Sequence, residues 1–132
     1  MSSRVNYSSP SKWENVVGYS RAVKVGNVIE VSGTVASDED GAVVGEGDAY
    51  AQTVYILQKI EKVLLGTGAS LKDVVRTRMF VTDISKFDAH ARAHAEAFWG
   101  IKPCTSMLEI KALVAPEYLI EIEATAILTN EH

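Results

Sequence analysis

The chain has 132 residues, 47% of them hydrophobic and 23% charged, within the length and composition of one globular domain and outside those of a disordered chain. Its 13 basic and 17 acidic residues give a formal net charge of −4, with no basic excess of the kind a general nucleic-acid binder carries. One cysteine, Cys104, excludes an internal disulfide. No apolar run approaches the roughly 20 residues of a membrane-spanning helix, and Met1–Tyr7 lacks the apolar stretch of a signal peptide. The expectation is a cytoplasmic protein with no membrane or nucleic-acid partner.

In chain order, residues 1–16 read as an irregular lead-in with a short strand around Arg4–Tyr7. Arg21–Val25 alternates apolar and basic residues as a half-buried strand does. Gly26-Asn27 suits a tight hairpin into a return strand, Val28–Gly33. Asp48 is placed to cap a helix from Ala49 to about Leu65, with Tyr50, Val54, Leu57 and Leu64 as its apolar stripe. Gly66 and Gly68 end it. Val74–Val81 is a strand with Val75, Thr77, Met79 and Val81 on one face and Arg76, Arg78 and Phe80 on the other. A second helix runs from Lys86 to about Trp99, with Phe87, Ala91, Ala95 and Phe98 facing inward. Thr105–Leu113 and Tyr118–Leu128 are the last strands.

The order predicts an α+β two-layer sandwich, a mixed sheet with two helices on one face. The other face of the last strand carries Leu119, Glu121, Glu123, Thr125 and Ile127. Leu119 and Ile127 are apolar where solvent is expected, which points to cover by another subunit. A two-layer monomer with a semi-polar outer face is the alternative.

No dinucleotide fingerprint, P-loop, nucleophile elbow or CxxC pair is present. His90 and His94 share a helix face at a zinc-compatible spacing, but the glutamate of HExxH is missing, so ordinary histidines are the favoured reading and no metal is expected. Cys104 has no activating base in the linear sequence and reads as a structural thiol. Glu121 and Glu123 share a strand face, as either an acid–base pair or a solvated surface. Arg76 and Arg78 can neutralise them or bind an anion. Ser32-Gly33-Thr34 at a strand end offers hydroxyls and open backbone to a small polar ligand.

Several stretches together resemble the YjgF/RidA/L-PSP family over about Val17–Leu128: Gly18–Ala22 leading into Val25–Gly33, Gly47–Thr53, Gly68–Thr77 before Phe80–Ile84, and Pro103–Ile110 with Ile120–Ala124. The resemblance implies a chorismate-mutase-like fold and a homotrimer with ligand clefts between subunits. It further implies hydrolysis of reactive enamines and imines, such as 2-aminoacrylate, to 2-keto acids and ammonia, with no metal or organic cofactor. Carried over residue by residue, it assigns Tyr19, Ser32 and Gly33 to the cleft and Glu123 to the attacking water. It also brings Ser106 into the substrate-binding set beside Thr105. Thr105 stands where imine-hydrolysing members have an arginine that grips the substrate carboxylate, and threonine cannot supply that bidentate pair. The chain thus resembles the arginine-lacking branch. The family's asparagine on the second helix is also missing, and Arg92 and His94 stand near its place. Arg92 or Arg21 is a candidate substitute cation. Two functions follow: hydrolysis of a small imine, enamine or related C–N compound to a carbonyl product and ammonia, or a non-catalytic metabolite-binding or regulatory trimer, with a small molecule such as a keto acid or imine as ligand. The family's endoribonuclease label is a minor third, disfavoured by the acidic balance.

Overall fold

A computed structural model describes residues 3–129. Six strands form one sheet: β1 (Arg4–Tyr7), β2 (Ala22–Val25), β3 (Val28–Thr34), β4 (Val74–Val81), β5 (Cys104–Glu109) and β6 (Ile120–Ile127), in the spatial order β1-β2-β3-β6-β4-β5. Three helices accompany them: α1 (Trp13–Val17), α2 (Ala49–Thr67) and α3 (Phe87–Ala97). Neighbouring strands pair antiparallel except β4 and β5, which run parallel with α3 as their crossover. This is the expected α+β architecture, with α2 and α3 packed on one face of a mixed sheet.

The lead-in is more ordered than expected. β1 pairs with β2 in the register Arg4↔Val25 to Tyr7↔Ala22. The unexpected α1 is held by Glu14, whose buried carboxylate accepts hydrogen bonds from the Ser9 amide and hydroxyl. Five residues are too few to show a helical period in sequence. Met1 and Ser2 lie outside the described residues. The β2–β3 hairpin forms as expected, with Gly26 at φ 59°, a left-handed angle that glycine adopts without a Cβ penalty.

The core lies between the helices and the inner sheet face, where Ile29, Val31, Met79, Val81, Ile120, Ile122, Ala124 and Ala126 meet Ile56, Leu57, Ile60 and Leu64. The buried side of α2 includes Ala49, Gln52, Thr53, Ile56, Leu57, Ile60, Leu64 and Thr67, turned from the expected stripe; Tyr50 and Val54 are only half-buried. Polar residues enter this face because their bonding is satisfied. Gln52 Nε2 donates to the Gly45 and Glu117 carbonyls at 3.2 and 3.0 Å, and its Oε1 accepts from the Leu119 amide at 2.9 Å. On α3 the buried residues are His90, Ala93 and His94, whereas Phe87 is half exposed; Phe98 is buried just beyond the helix. A 3-10 turn at Ile84–Lys86 starts this segment, and the helix stops at Ala97, short of Trp99.

On β4 a bulge between Val74 and Arg76 puts Val74 in the core and Val75 at the surface, so the expected alternation holds only from Thr77 onward. β5 ends at Glu109, four residues before the expected limit, and β6 starts at Ile120.

Candidate active site

The uncovered sheet face is built around a second bulge. Val31 pairs with Ala124 and Thr34 with Ile122, so Ser32 and Gly33 both stand opposite Glu123. Two residues against one bend the strand and open its backbone. Ser32 Oγ donates to the Ser20 carbonyl at 2.7 Å, tying the bulge to the segment before β2. Arg21 is buried at 8% exposure, and its Nη2 donates to the Gly33 carbonyl. The Arg21 guanidinium carbon lies 5.8 Å from the centre of the Tyr19 ring. Lys59 of α2 secures the chain beyond the bulge, with Nζ donating to the Val35 and Ser37 carbonyls, each at 2.8 Å. Burial, aided by nearby Arg21, lowers the Lys59 pKa to about 8.

Alternation along β6 brings Glu121 and Glu123 to this same face, but their surroundings differ. Glu123 faces Arg78 across the ladder, with Oε1 3.6 Å from Nη1. Both side chains are substantially exposed, so the pair contributes at most about 1 kcal/mol and chiefly fixes position. Glu121 lies over Gly33, where a Cβ would land on its carboxylate. Burial raises the Glu121 pKa, repulsion from Glu123 adds to this, and Arg21 opposes it. Glu121 is thereby pushed toward its protonated form, as the acid of a carboxylate pair must be. Glu123, but not Glu121, lines a depression of about 230 Å³, whose other walls include Val23, Glu30, Ser32, Arg78 and Thr125.

Gly33→Ala tests this arrangement. The displaced group is the end of a flexible side chain, so the stability cost is expected near the lower end of the ~1–3 kcal/mol of overpacking. Titration by NMR should show Glu121 moving toward the ordinary glutamate range, because it loses its place over the bulge.

The other candidates sit elsewhere. Thr105 opposes Thr77 in the parallel β4–β5 ladder and is exposed at the sheet edge, with its hydroxyl turned to the helical side. Ser106 points to the open face, where Arg76 Nη2 donates to its Oγ at 3.4 Å. Cys104 is exposed and pairs in register with Arg76. Arg92 does not join either group. It stacks on Tyr50 of α2, 3.9 Å from the ring centre, and Tyr50 in turn donates to Glu96. With His90 and His94 turned to the core, residue 92 falls on the helix's outer side. Arg21, not Arg92, is the arginine beside the Ser32–Gly33 bulge.

The two histidines face threonine hydroxyls. His90 Nδ1 lies 2.8 Å from Thr53 Oγ1, which itself donates to the Ala49 carbonyl at 2.8 Å. That hydroxyl hydrogen is already used, so His90 must donate from Nδ1. Its buried Nε2 has no partner among the described residues. His94 Nε2 lies 2.8 Å from Thr77 Oγ1, and Thr77 Oγ1 lies 2.7 Å from Thr105 Oγ1. Sequence reading missed this chain of contacts, since no local pattern links residues 77, 94 and 105. Among the described residues no group of three or more His, Cys, Asp or Glu side chains could hold a metal ion, and no helix is long and apolar enough to cross a membrane.

Comparison with known proteins places the chain in a family. A family model described as Endoribonuclease L-PSP matches residues 10–128. The chain belongs to the L-PSP endoribonuclease family. Within that family it is 38% identical over 108 residues to the 3-aminoacrylate deaminase RutC of Acinetobacter baylyi, covering 82% of this chain and 85% of that protein. The solved structure of Rv2704 from Mycobacterium tuberculosis, described as a member of the YjgF/YER057c/UK114 family, is 48% identical with a TM-score of 0.87, covering 96% of this chain and 100% of that one. The yeast protein YEO7 is 30% identical with a TM-score of 0.85, covering 95% and 98%. The L-PSP fold thus extends through both the bulge at Ser32–Gly33 and the β5 edge.

Proposed function

We propose that this family member hydrolyses a small reactive imine or enamine to a carbonyl product and ammonia, in the cytoplasm and without a cofactor. The observation that carries the reading is the Glu121 carboxyl: half-buried over Gly33, raised in pKa, and beside the ion-paired Glu123. The similarity to a 3-aminoacrylate deaminase supports the substrate class.

In this reading an enamine first takes a proton on carbon and gives one up from nitrogen to become the imine. Water adds to the C=N carbon and gives up a proton to the carboxylate pair. Nitrogen takes a proton to give the carbinolamine, which passes its hydroxyl proton to nitrogen by way of the carboxylates and expels ammonia as the carbonyl forms. Glu121 exchanges the protons, and Glu123, held by Arg78, orients the water. Ser32 and Gly33 shape the floor and Tyr19 covers it. Thr105 and Ser106 bind the substrate's carbonyl or carboxylate oxygens.

One chain does not gather all of these groups. Thr105 is on the β5 rim and turned to the helical side, whereas Glu121 and Glu123 are on the open face. A homotrimer that sets the rim of one copy against the open face of the next would complete the cleft. The partly exposed Val23, Val25, Val28, Phe80, Leu108 and Ile127 on and beside that face support such cover.

The test is the decay of 2-aminoacrylate and 3-aminoacrylate generated in situ, followed by ammonia release. Acceleration over the uncatalysed rate is expected. Uncatalysed decay of both would leave the second reading, a metabolite-binding trimer, which is favoured by the threonine at position 105.

A further inference from the structure

The exposed hydroxyl at the β5 rim is wired to a buried histidine. Thr77 is fully buried, so no water can intervene on its hydroxyl. Its Oγ1 has two partners, His94 Nε2 at 2.8 Å and Thr105 Oγ1 at 2.7 Å, and only one hydrogen to give. Thr53, beside His90, spends its hydrogen on a backbone carbonyl; Thr77 has no such outlet. The direction of the whole chain is therefore all-or-none. If His94 donates from Nε2, Thr77 donates to Thr105, and the Thr105 hydrogen is free to point outward. If His94 accepts at Nε2, Thr105 must donate inward and presents only lone pairs.

We propose that His94 is a positioning residue: through Thr77 it holds the Thr105 hydroxyl as a hydrogen-bond donor toward a carbonyl or carboxylate oxygen of the ligand. This rests on the reading of Thr105 as a ligand contact. It also names the ligand chemistry, an oxygen acceptor, which the inward direction would repel.

The His94 ring is held where Nε2 meets the Thr77 hydroxyl. The ring is buried at 8% exposure and packed against Phe98, with centroids 4.6 Å apart, so its orientation is fixed. Thr105 is exposed, so the other end of the chain is open to ligand. A three-membered chain, buried at His94 and Thr77 and open at Thr105, transmits a tautomer over two hydroxyls without moving the backbone.

The experiment uses pyruvate as probe, with calorimetric titration of the full chain, and nitrogen NMR of the His94 ring at neutral pH. Thr77→Val keeps shape and removes the link; Thr77→Ser keeps the link. Thr77→Val and Thr105→Val should each weaken pyruvate binding about three- to tenfold, the loss of one neutral hydrogen bond. The double variant should be no weaker than Thr105→Val alone, because both act through one hydroxyl. Thr77→Ser should restore wild-type affinity, and His94 should carry its hydrogen on Nε2. Equal affinity of wild type and Thr77→Val, additive losses in the double variant, or the Nδ1–H tautomer of His94 would overturn the inference. Absence of pyruvate binding in the wild type overturns it together with the site reading. Intact coupling in a protein that turns over no imine supports it and removes only the hydrolytic reading.

Discussion

Glu121→Gln is expected to lower imine hydrolysis by about a hundred- to ten-thousandfold, the usual contribution of a positioned acid–base group. The same variant should be more stable than wild type at neutral pH. Burial and Glu123 raise the folded pKa of Glu121 above its unfolded value. The fold thus disfavours the charged form, and the associated stability is present at low pH and lost as pH rises through the folded pKa. Glutamine removes the charge and with it the loss. Thermal unfolding from the ordinary glutamate range to neutrality should show a declining difference, wild type minus variant, as pH rises. Glu123→Gln should behave differently: its ion pair with Arg78 is exposed, so stability changes little, and activity falls less than in Glu121→Gln. Equal activity in Glu121→Gln and wild type would remove Glu121 from the chemistry.

Thr105→Arg is expected to tighten binding of a carboxylate-bearing enamine by about ten- to a hundredfold, equivalent to the ~1.5–3 kcal/mol of a charge-assisted hydrogen bond. The edge strand has room for the change, because Thr105 is exposed and its side chain bonds, among the described residues, to Thr77 alone. The improvement should appear in KM more than in kcat, since the anchor grips ground state and transition state alike. On this background Thr77→Val should have no further effect on binding, as the guanidinium carries its own donors. An unchanged KM would mean that the β5 rim does not meet the substrate.

Much of the fold was legible because it is written in apolar period. Val74–Val81 and the alternating Ile120, Ile122, Ala124 and Ala126 were placed by a period of two, and the Gly26-Asn27 hairpin by its turn residues. The helices are legible but turned from their apolar stripes, because polar residues share the buried side. Gln52, Thr53, His90 and His94 are buried through hydrogen bonds to partners distant in sequence, which no local pattern reveals. Bulges were equally hidden, since they arise between strands: one exposes Val75, and the other sets Ser32 and Gly33 against Glu123. At the site, pairing Glu121 with Glu123 needed only strand alternation. Their different surroundings depend on Gly33 and Arg21, which lie far from β6 in sequence. Arg92 reads in sequence as an available cation, but Tyr50, 42 positions earlier in the chain, lies beneath it.

The central claim is that one working cleft takes the carboxylates of one copy and the β5 rim of another. Co-expression of two differently tagged, individually impaired chains tests it most directly. Glu121→Gln removes the proton-transfer group, and Thr105→Glu sets a negative charge where the substrate carboxylate binds. Assemblies purified through both tags should recover ammonia release well above the mean of the two parents, because some clefts then pair an intact open face with an intact rim. Activity no higher than that mean, in assemblies shown to contain both chains, would contradict a shared cleft.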